Sequence, residues 1–139
     1  MRIQISKDLD KKLVKEQLKN AQIVKDGDYI LISKTRRISV YDTDGIVFIS
    51  AHEIDYIESN KNTIYVYTRH KHYESILKLY EYLDESDQFI RINKSTVINK
   101  NSIRDIRSSL NMKFKININD QWLEVNRTYY YEFKDAIGI

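Results

Sequence analysis

The stretch FIRINKSTVINKNSI, Phe89 to Ile103, contains two short apolar runs on either side of the polar cluster Asn93-Lys94-Ser95. In the first run, apolar residues alternate along the chain with a period of two, which is typical of a strand. The amide, ammonium and hydroxyl of the cluster can all donate hydrogen bonds to an anionic or acceptor-rich partner. From this stretch alone, a solvated hairpin loop and a binding loop are equally open interpretations.

The composition of the whole chain favours strands. It has 139 residues, of which 42% are hydrophobic and 31% charged, with 3 glycines, no proline and 11 tyrosines. Aromatic and β-branched residues are enriched in strands, and a chain of this length buries a core without metal or disulfide help. With so few glycines and no proline, the turns must use Asn, Asp and Ser, which tolerate left-handed conformations. We therefore expect one mainly β domain with a small N-terminal addition.

Cysteine content and the first residues bear on the compartment. The chain has no cysteine, which excludes a disulfide framework, a thiolate nucleophile and a cysteine-ligated zinc site. Its start, MRIQISKDLDKK, carries charge where a signal peptide needs an apolar core, and no apolar run is long enough to span a membrane. We therefore expect a cytoplasmic protein. The net charge of +3 permits a nucleic-acid partner without requiring one.

Residues 6 to 21 have the pattern of an amphipathic helix with an acidic first turn and a stripe that includes Leu9, Leu13 and Leu18. The turn-like sequence KDGD follows, so we place a boundary there, with an N-terminal helical extension at 1–28 and the main domain at 29–139. The stripe either covers the domain, as most amphipathic helices do, or docks a protein partner.

From Tyr29 onward the chain has the pattern of short strands joined by polar turns. Asp-Gly at 44–45, between two apolar runs, predicts a hairpin. A second hairpin is predicted between IDYIES and TIYVYTR, with the polar tip Asn60-Lys61-Asn62. A half-buried strand is expected at MKFKINI, where lysines occupy the solvated face.

Two helices are expected in this domain. YESILKLYEYLDESD contains an amphipathic helix whose apolar residues recur at helical spacing. The chain ends in a second helix, with Thr128 as its N-cap and Gly138 near its end. The apolar stripe predicted for the first helix comprises Ile76, Leu79, Tyr80 and Leu83.

Residue sets that suggest metal binding or catalysis are incomplete. The D-x-D-G fragment at Asp42 lacks the further ligands of a calcium loop. His70 and His72 would share one face of a strand, but no third metal ligand lies near them in the sequence. No Ser/His/Asp arrangement or phosphate-binding glycine loop is present. We expect no metal, no cofactor, no small-molecule substrate and no enzymatic activity.

Three motifs follow one another in order: IDYIES before a polar loop, FIRINKSTVIN, and V-x-R-x-Y starting at Val125 before the last helix. In this order and spacing the chain resembles the LytTR-type DNA-binding domain, from about Ile30 to Ile137. It departs from that family's pattern at Asn93, where histidine is frequent, at Ile98, where valine is common, and at Asn126, where serine is usual.

The resemblance implies an elongated, mainly β fold of small antiparallel sheets with short helices, here preceded by the N-terminal helix. It implies a bacterial transcriptional regulator whose loops enter successive major grooves of double-stranded DNA, as two copies on promoter repeats. Because residues 1–28 are too short for the receiver domain usual in the family, we expect no control by aspartyl phosphorylation within this chain. The DNA contacts carried over from the family's motif are Lys61, Asn62, Thr63, Asn93, Lys94, Ser95, Asn126 and Arg127.

The chemistry of these side chains agrees with that role. Arginine and lysine pair with guanine and asparagine with adenine, whereas hydroxyls and amides hold phosphates and set the register. The leading hypothesis is therefore a sequence-specific DNA-binding regulator. The alternative is an interaction module, in which the N-terminal leucine stripe is bound by a protein or membrane-bound inhibitor.

Overall fold

A computed structural model describes the chain at residues 2–5, 22–23, 29–31 and 37–139. The chain divides into two units, Met1–Thr35 and Arg36–Ile139, each with its own sheets. In the described part, no helix is long and apolar enough to cross a membrane.

The first unit contains a three-stranded parallel sheet of β1 (Arg2–Ile5), β2 (Gln22–Ile23) and β3 (Tyr29–Leu31). The strand β1 lies in the middle, and its residue Ile3 pairs with Ile23 on one side and with Tyr29 on the other. The helix predicted for residues 6–21 and the turn predicted at 25–28 lie outside the described residues.

The second unit is mainly β, as predicted, and begins with a seven-stranded sheet in which every pairing is antiparallel. The strand order is β5-β4-β8-β7-β6-β10-β9, with β4 at Arg37–Asp42, β5 at Gly45–Ser50, β6 at Ile54–Asn60, β7 at Thr63–Thr68, β8 at His72–Ser75, β9 at Phe89–Asn93 and β10 at Thr96–Asn99.

A three-stranded antiparallel sheet follows, made of β11 (Asp105–Ser109), β12 (Lys113–Ile118) and β13 (Gln121–Val125), with β12 in the middle. The described helices are α1 (Leu79–Glu85), between β8 and β9, and α2 (Tyr130–Ile137), after β13. Single 3-10 turns occupy Ala51–Glu53, Lys100–Ser102 and Arg127–Tyr129.

The strands β9 and β10 are buried on both faces, so they separate two hydrophobic cores. Val97 and Phe89 belong to the core on the α1 side, whereas Ile98 and Ile90 belong to the core against the three-stranded sheet and α2. This explains why consecutive positions such as Phe89-Ile90 and Val97-Ile98 are apolar instead of strictly alternating with polar ones. The second core also contains Tyr56, Ile92, Phe114, Ile116, Ile118, Val125 and Phe133.

The predicted hairpins form, and most of their turns use the expected residues. Asp42 pairs with Gly45, and Asn60 pairs with Thr63. Outside glycine, positive φ angles occur at Lys61, Asn62, Asn111, Met112, Asn119 and Asp120. Four of these six are Asn or Asp, whose side chains tolerate this conformation. The D-x-D-G fragment, which lacks the ligands of a calcium loop, forms an ion-paired turn: Lys71 Nζ lies 2.8 Å from Asp42 Oδ2, and this hydrogen bond lowers the pKa of Asp42.

The apolar stripe predicted for the helix in YESILKLYEYLDESD is wrong, because most of its residues are not the ones that α1 buries. The residues of α1 that are buried are Leu79 and Tyr82, whereas Ile76, Tyr80 and Leu83 are 41%, 57% and 37% exposed. The helix begins only at Leu79 because the preceding segment joins the large sheet as β8, so Ile76 is not helical. Which residues of α1 are buried is therefore determined by how the helix packs on the sheet, and not by the apolar spacing in the sequence.

The second helix differs from the prediction at its start and agrees at its end. Thr128 is not the N-cap, because it lies inside the 3-10 turn and the α-helix starts at Tyr130. Gly138 adopts a left-handed conformation with φ 81°, and its N–H donates to the carbonyl of Lys134 at 2.8 Å. Glycine is favoured at this position because it has no Cβ to strain.

The free energy of unfolding should fall at alkaline pH because of the ionisation of Tyr82. This residue of α1 is fully buried and hydrogen-bonded to Ser75 Oγ. Burial raises the pKa of Tyr82 to about 12, whereas an unfolded tyrosine has a pKa of about 10. Below the lower value the phenol is neutral in both states, so its contribution is complete. Between the two values only the unfolded chain loses the proton, and the free energy of unfolding should fall by up to roughly 3 kcal/mol.

Urea unfolding at a series of pH values across this window tests the prediction. Tyr82→Phe should reduce the pH dependence but not abolish it, because burial also raises the pKa of Tyr56 to about 12. Tyr131→Phe, at a residue that is 69% exposed, should leave it as in the wild type. An unchanged dependence in Tyr82→Phe would show that another group titrates.

Candidate nucleic-acid interface

The turn between β9 and β10 is the centre of the candidate site. Asn93 pairs with Thr96 across the hairpin, so Lys94 and Ser95 form its tip, and both are exposed. The ladder shifts register between Thr96 and Val97. Such a bulge twists and bends the strand locally, here directly beside the tip.

The turn between β6 and β7 lies beside this tip. Thr96 pairs with Glu58 of β6, and the N–H of Ser59 donates to the carbonyl of Ser95 at 2.8 Å. Two residues beyond Ser59, Lys61 and Asn62 form a two-residue turn with φ angles of 48° and 69°. Positive φ at both central positions is the conformation that matches the twist of a tight hairpin. This turn therefore projects from the same end of the sheet as Lys94.

The end of β13 lies on the other side of the β9–β10 turn. The N–H of Asn126 donates to the carbonyl of Ile92 at 2.9 Å, and Asn93 Nδ2 donates to the carbonyl of Glu124 at 3.0 Å. Arg127 follows at once in a 3-10 turn that leads into α2. Because Arg127 lies between a strand and a helix, its backbone is restricted, and its side chain extends from a well-defined position.

The structure thus brings the three predicted loops together at neighbouring strand ends. The strands that carry them are distant in sequence, and direct backbone hydrogen bonds link each loop to the central one. Lys61, Asn62, Lys94, Ser95 and Arg127 are exposed, and Thr63, Asn93 and Asn126 are partly buried.

Basic side chains outnumber acidic ones at this end, where Glu58 pairs with Thr96 beside the central turn. Lys61, Lys94 and Arg127 are exposed and have no ion-pair partner in the described part of the chain. The acidic side chain of Glu124 lies next to the site, and Lys113 Nζ approaches its Oε1 at 3.4 Å. Three unpaired cations beside a compensated carboxylate can attract an anionic, extended partner.

The amide of Asn93 is largely used inside the protein. Its Oδ1 accepts from Ser95 N at 2.9 Å and from Ser95 Oγ at 3.0 Å, while its Nδ2 donates to the β13 carbonyl. Both acceptor positions of the oxygen and one of two N–H groups are therefore occupied. The geometry suits Asn93 to shaping the turn, whereas the Lys94 ammonium is available to a ligand.

Two polar residues with a structural role were not identified from the sequence: Arg91 beside the central turn, and Asn99 at the opposite end of β10 from that turn. Arg91 donates from Nε to the carbonyl of Asn93 at 3.2 Å and from Nη2 to the carbonyl of Lys94. Asn99 is 1% exposed, and its Nδ2 donates to the carbonyl of Ile54 at 2.9 Å. In the sequence both residues look like the polar positions of an alternating strand, so no signal separated them from solvated side chains.

Replacing Asn99 by alanine is expected to lower the free energy of unfolding by about 1–3 kcal/mol, because a buried acceptor loses its donor. The carbonyl of Ile54 and the N–H of Asn101 would both lose a side-chain partner. Chemical denaturation measures the change. Asn101→Ala is the matched control because the Asn101 side chain is exposed; equal stability of the two variants would contradict the prediction.

Groups of three or more His, Asp or Glu side chains that could hold a metal are absent from the described residues. His70 and His72 are both exposed; His70 lies in the bend that precedes β8, and His72 is the first residue of β8. The two imidazoles therefore do not belong to one regular strand, contrary to the geometry that their spacing suggested.

Comparisons with known proteins identify the family and the fold. A sequence model of the LytTr DNA-binding domain family matches residues 44–138. The match begins later than the resemblance predicted from the motifs, which began at about Ile30. A solved LytTr DNA-binding domain from Bacillus cereus has a TM-score of 0.68 and 24% sequence identity to this chain, covering 77% of this chain and 100% of that chain. At this identity the structural likeness shows the fold alone. No curated protein matches the chain. These matches confirm the predicted family resemblance and the mainly β fold.

Proposed function

The chain belongs to the LytTr DNA-binding domain family, and from this membership we propose that it is a sequence-specific transcriptional regulator that binds double-stranded DNA. The observation that carries the proposal is the meeting of three loops at one end of the sheets, where Lys61, Lys94 and Arg127 are exposed and unpaired within the described residues. Clustered cations of this kind supply the salt-dependent part of DNA affinity.

We assign base reading to Arg127, after the end of β13, and to Lys94, at the tip of the central turn. Arg127 can donate a bidentate pair to guanine O6 and N7, and Lys94 can reach the same acceptors. The tight turns that carry Lys94 and Asn62 are narrow enough to enter a major groove about 12 Å wide. We propose that these loops enter successive major grooves.

The shorter polar side chains suit the DNA backbone. Thr63 and Asn126 have hydroxyl or amide donors near the turns, and such groups hold phosphates and set the register. Ser95 joins them if its hydroxyl exchanges its bond to Asn93 Oδ1 for one to a phosphate oxygen on binding. We place Lys61 in this group as well, because it lies at the outer turn. Asn93 takes part by holding the central turn, since its amide is hydrogen-bonded within the chain.

A DNA selection followed by gel-shift titration tests the function. The wild-type protein should enrich particular duplexes from a randomised library, and its affinity for an enriched duplex should exceed that for a shuffled one. The logarithm of both affinities should fall linearly with the logarithm of salt, by about 0.9 per phosphate contact. Equal affinity for every duplex would contradict a sequence-specific regulator. The promoter of the protein's own operon is the natural second probe.

We also propose that two copies bind repeated promoter sites in the cytoplasm of a bacterium. A duplex with two repeats should then show two successive shifts, and a duplex with one repeat should show one. Repeated sites bound only once would contradict this stoichiometry.

The alternative role, a module held by a protein or membrane-bound inhibitor, depends on the N-terminal stripe of Leu9, Leu13 and Leu18. Replacing these leucines by serine should abolish inhibition and leave DNA binding intact. DNA binding lost together with inhibition would assign the stripe to folding.

A further inference from the structure

The side chain of Arg91 faces the central loop from within its own hairpin. It is partly buried on β9, two residues before the strand ends. Its Nε donates to the carbonyl of Asn93 at 3.2 Å, and its Nη2 donates to the carbonyl of Lys94. The two carbonyls belong to consecutive residues, so one guanidinium bridges the backbone of the turn.

The same turn is held from two other directions. Asn93 accepts from the backbone and the hydroxyl of Ser95 and donates to β13. The N–H of Ser59, in β6, donates to the carbonyl of Ser95 at 2.8 Å. Without Arg91, the carbonyls of Asn93 and Lys94 would lose their side-chain donor, and the turn would lose the third of these holds.

We propose that Arg91 is a positioning residue for DNA recognition, whose guanidinium fixes the backbone from which the Lys94 side chain extends. The inference rests on the proposed function and deepens it, because it assigns a role to a residue outside the contact set. Arg91 acts through Lys94. It makes no direct contact with a base or a phosphate.

The chemistry explains why arginine occupies this position. A guanidinium is planar and presents its N–H groups as a rigid fork, so it can bond two acceptors at a fixed separation. A lysine has the same charge but presents a single nitrogen on a flexible chain, and it cannot hold both carbonyls in one geometry. Ordering the turn before binding also lowers the conformational entropy lost when Lys94 contacts DNA.

Arg91→Lys separates positioning from direct contact because it keeps the charge. On a duplex enriched by the wild-type protein, affinity should fall about 10-fold, which corresponds to the loss of about one hydrogen bond to a charged group. On a shuffled duplex affinity should be unchanged, and the salt slope should equal that of the wild type. In a Lys94→Ala background, Arg91→Lys should cause little further loss, since the two residues act as one unit.

A measurement without DNA tests the same inference independently. Backbone ¹⁵N relaxation should show larger fast motions at the amides of Lys94 and Ser95 in Arg91→Lys than in the wild type. Arg104→Lys is the matched control, because Arg104 forms an exposed ion pair with Asp120 at 3.3 Å. Thermal unfolding of both variants verifies that the fold is retained.

Two results would overturn the inference. Arg91→Lys with wild-type specific affinity and loop motions would show that charge alone matters, and a variant that loses affinity equally on both duplexes would identify a phosphate contact. Failure of the proposed function is distinct from both: the wild type would then enrich no duplex, while the relaxation experiment would still test the hold on the turn.

Discussion

Replacing Arg127 by alanine is expected to weaken binding to the enriched duplex about 5- to 150-fold, because one good bidentate contact to a base contributes about 1–3 kcal/mol of discrimination. Arg127 is exposed, lies at the junction of β13 and α2, and is tied to β9 through its neighbour Asn126. Fluorescence anisotropy with the enriched and the shuffled duplex measures the change. The loss should be larger on the enriched duplex, so the ratio of the two affinities should fall.

Two further variants are compared with Arg127→Ala, one expected to behave like it and one as a control. Lys94→Ala should also lower the specific affinity more than the non-specific affinity, because Lys94 is at the tip of the adjacent turn. Arg104→Ala removes an arginine whose side chain is 73% exposed and paired with Asp120, outside the three loops. That control should bind both duplexes nearly as the wild type does. If Arg127→Ala lost equal affinity on both duplexes, Arg127 would be a phosphate contact instead of a base reader.

Replacing Phe133 by alanine is expected to lower the free energy of unfolding by about 3–5 kcal/mol, the usual cost of removing a buried phenyl ring. Phe133 is fully buried and its ring centroid lies 5.3 Å from that of Phe114. It is the buried residue through which α2 joins the second core. Since domains are stable by only about 5–15 kcal/mol, this loss removes a large share of the total and should move the unfolding midpoint to a much lower denaturant concentration.

Guanidinium denaturation followed by tryptophan fluorescence measures this effect, because Trp122 lies on β13 of the same half of the domain. Tyr131→Ala is the matched control: it truncates an aromatic ring on the same helix, but Tyr131 is 69% exposed. Its unfolding midpoint should stay close to that of the wild type. A similar loss in both variants would show that helix formation, not core packing, determines the stability of this region.

The strands and turns of the second unit could largely be predicted from local sequence. FIRINKSTVIN contains enough apolar residues for burial on both faces, and its polar cluster falls where the chain turns. Asp-Gly at 44–45 and Asn62 at a positive φ angle reflect backbone preferences that act within a few residues. The left-handed conformations at Lys61 and Met112 could not be foreseen, because neither residue favours them and the register of the paired strands imposes them.

Which residues the helices bury, and where the helices begin, could be learned only from the tertiary structure. Several apolar residues around α1 satisfied helical spacing, and the sheet selected Leu79 and Tyr82 for burial. Thr128 has the chemistry of an N-cap, but the chain enters α2 through a 3-10 turn stabilised by the hydrogen bond from Tyr129 N to the carbonyl of Asn126 at 2.9 Å. Local propensity contributes little free energy compared with packing, so the structure follows packing where the two disagree.

By itself, the sequence determined the strand-rich fold class, the hairpin turns and the three motifs that identify the LytTr family, because these depend on side-chain type and short-range backbone preference. Only the tertiary structure decided that Lys61, Lys94 and Arg127 meet at one end of the sheets, and that Arg91 and Asn93 hold the central turn. Those relations depend on hydrogen bonds between strands far apart in the chain, such as Ser59 to Ser95 and Asn126 to Ile92. Their partners are chosen by register and burial, which no local pattern contains.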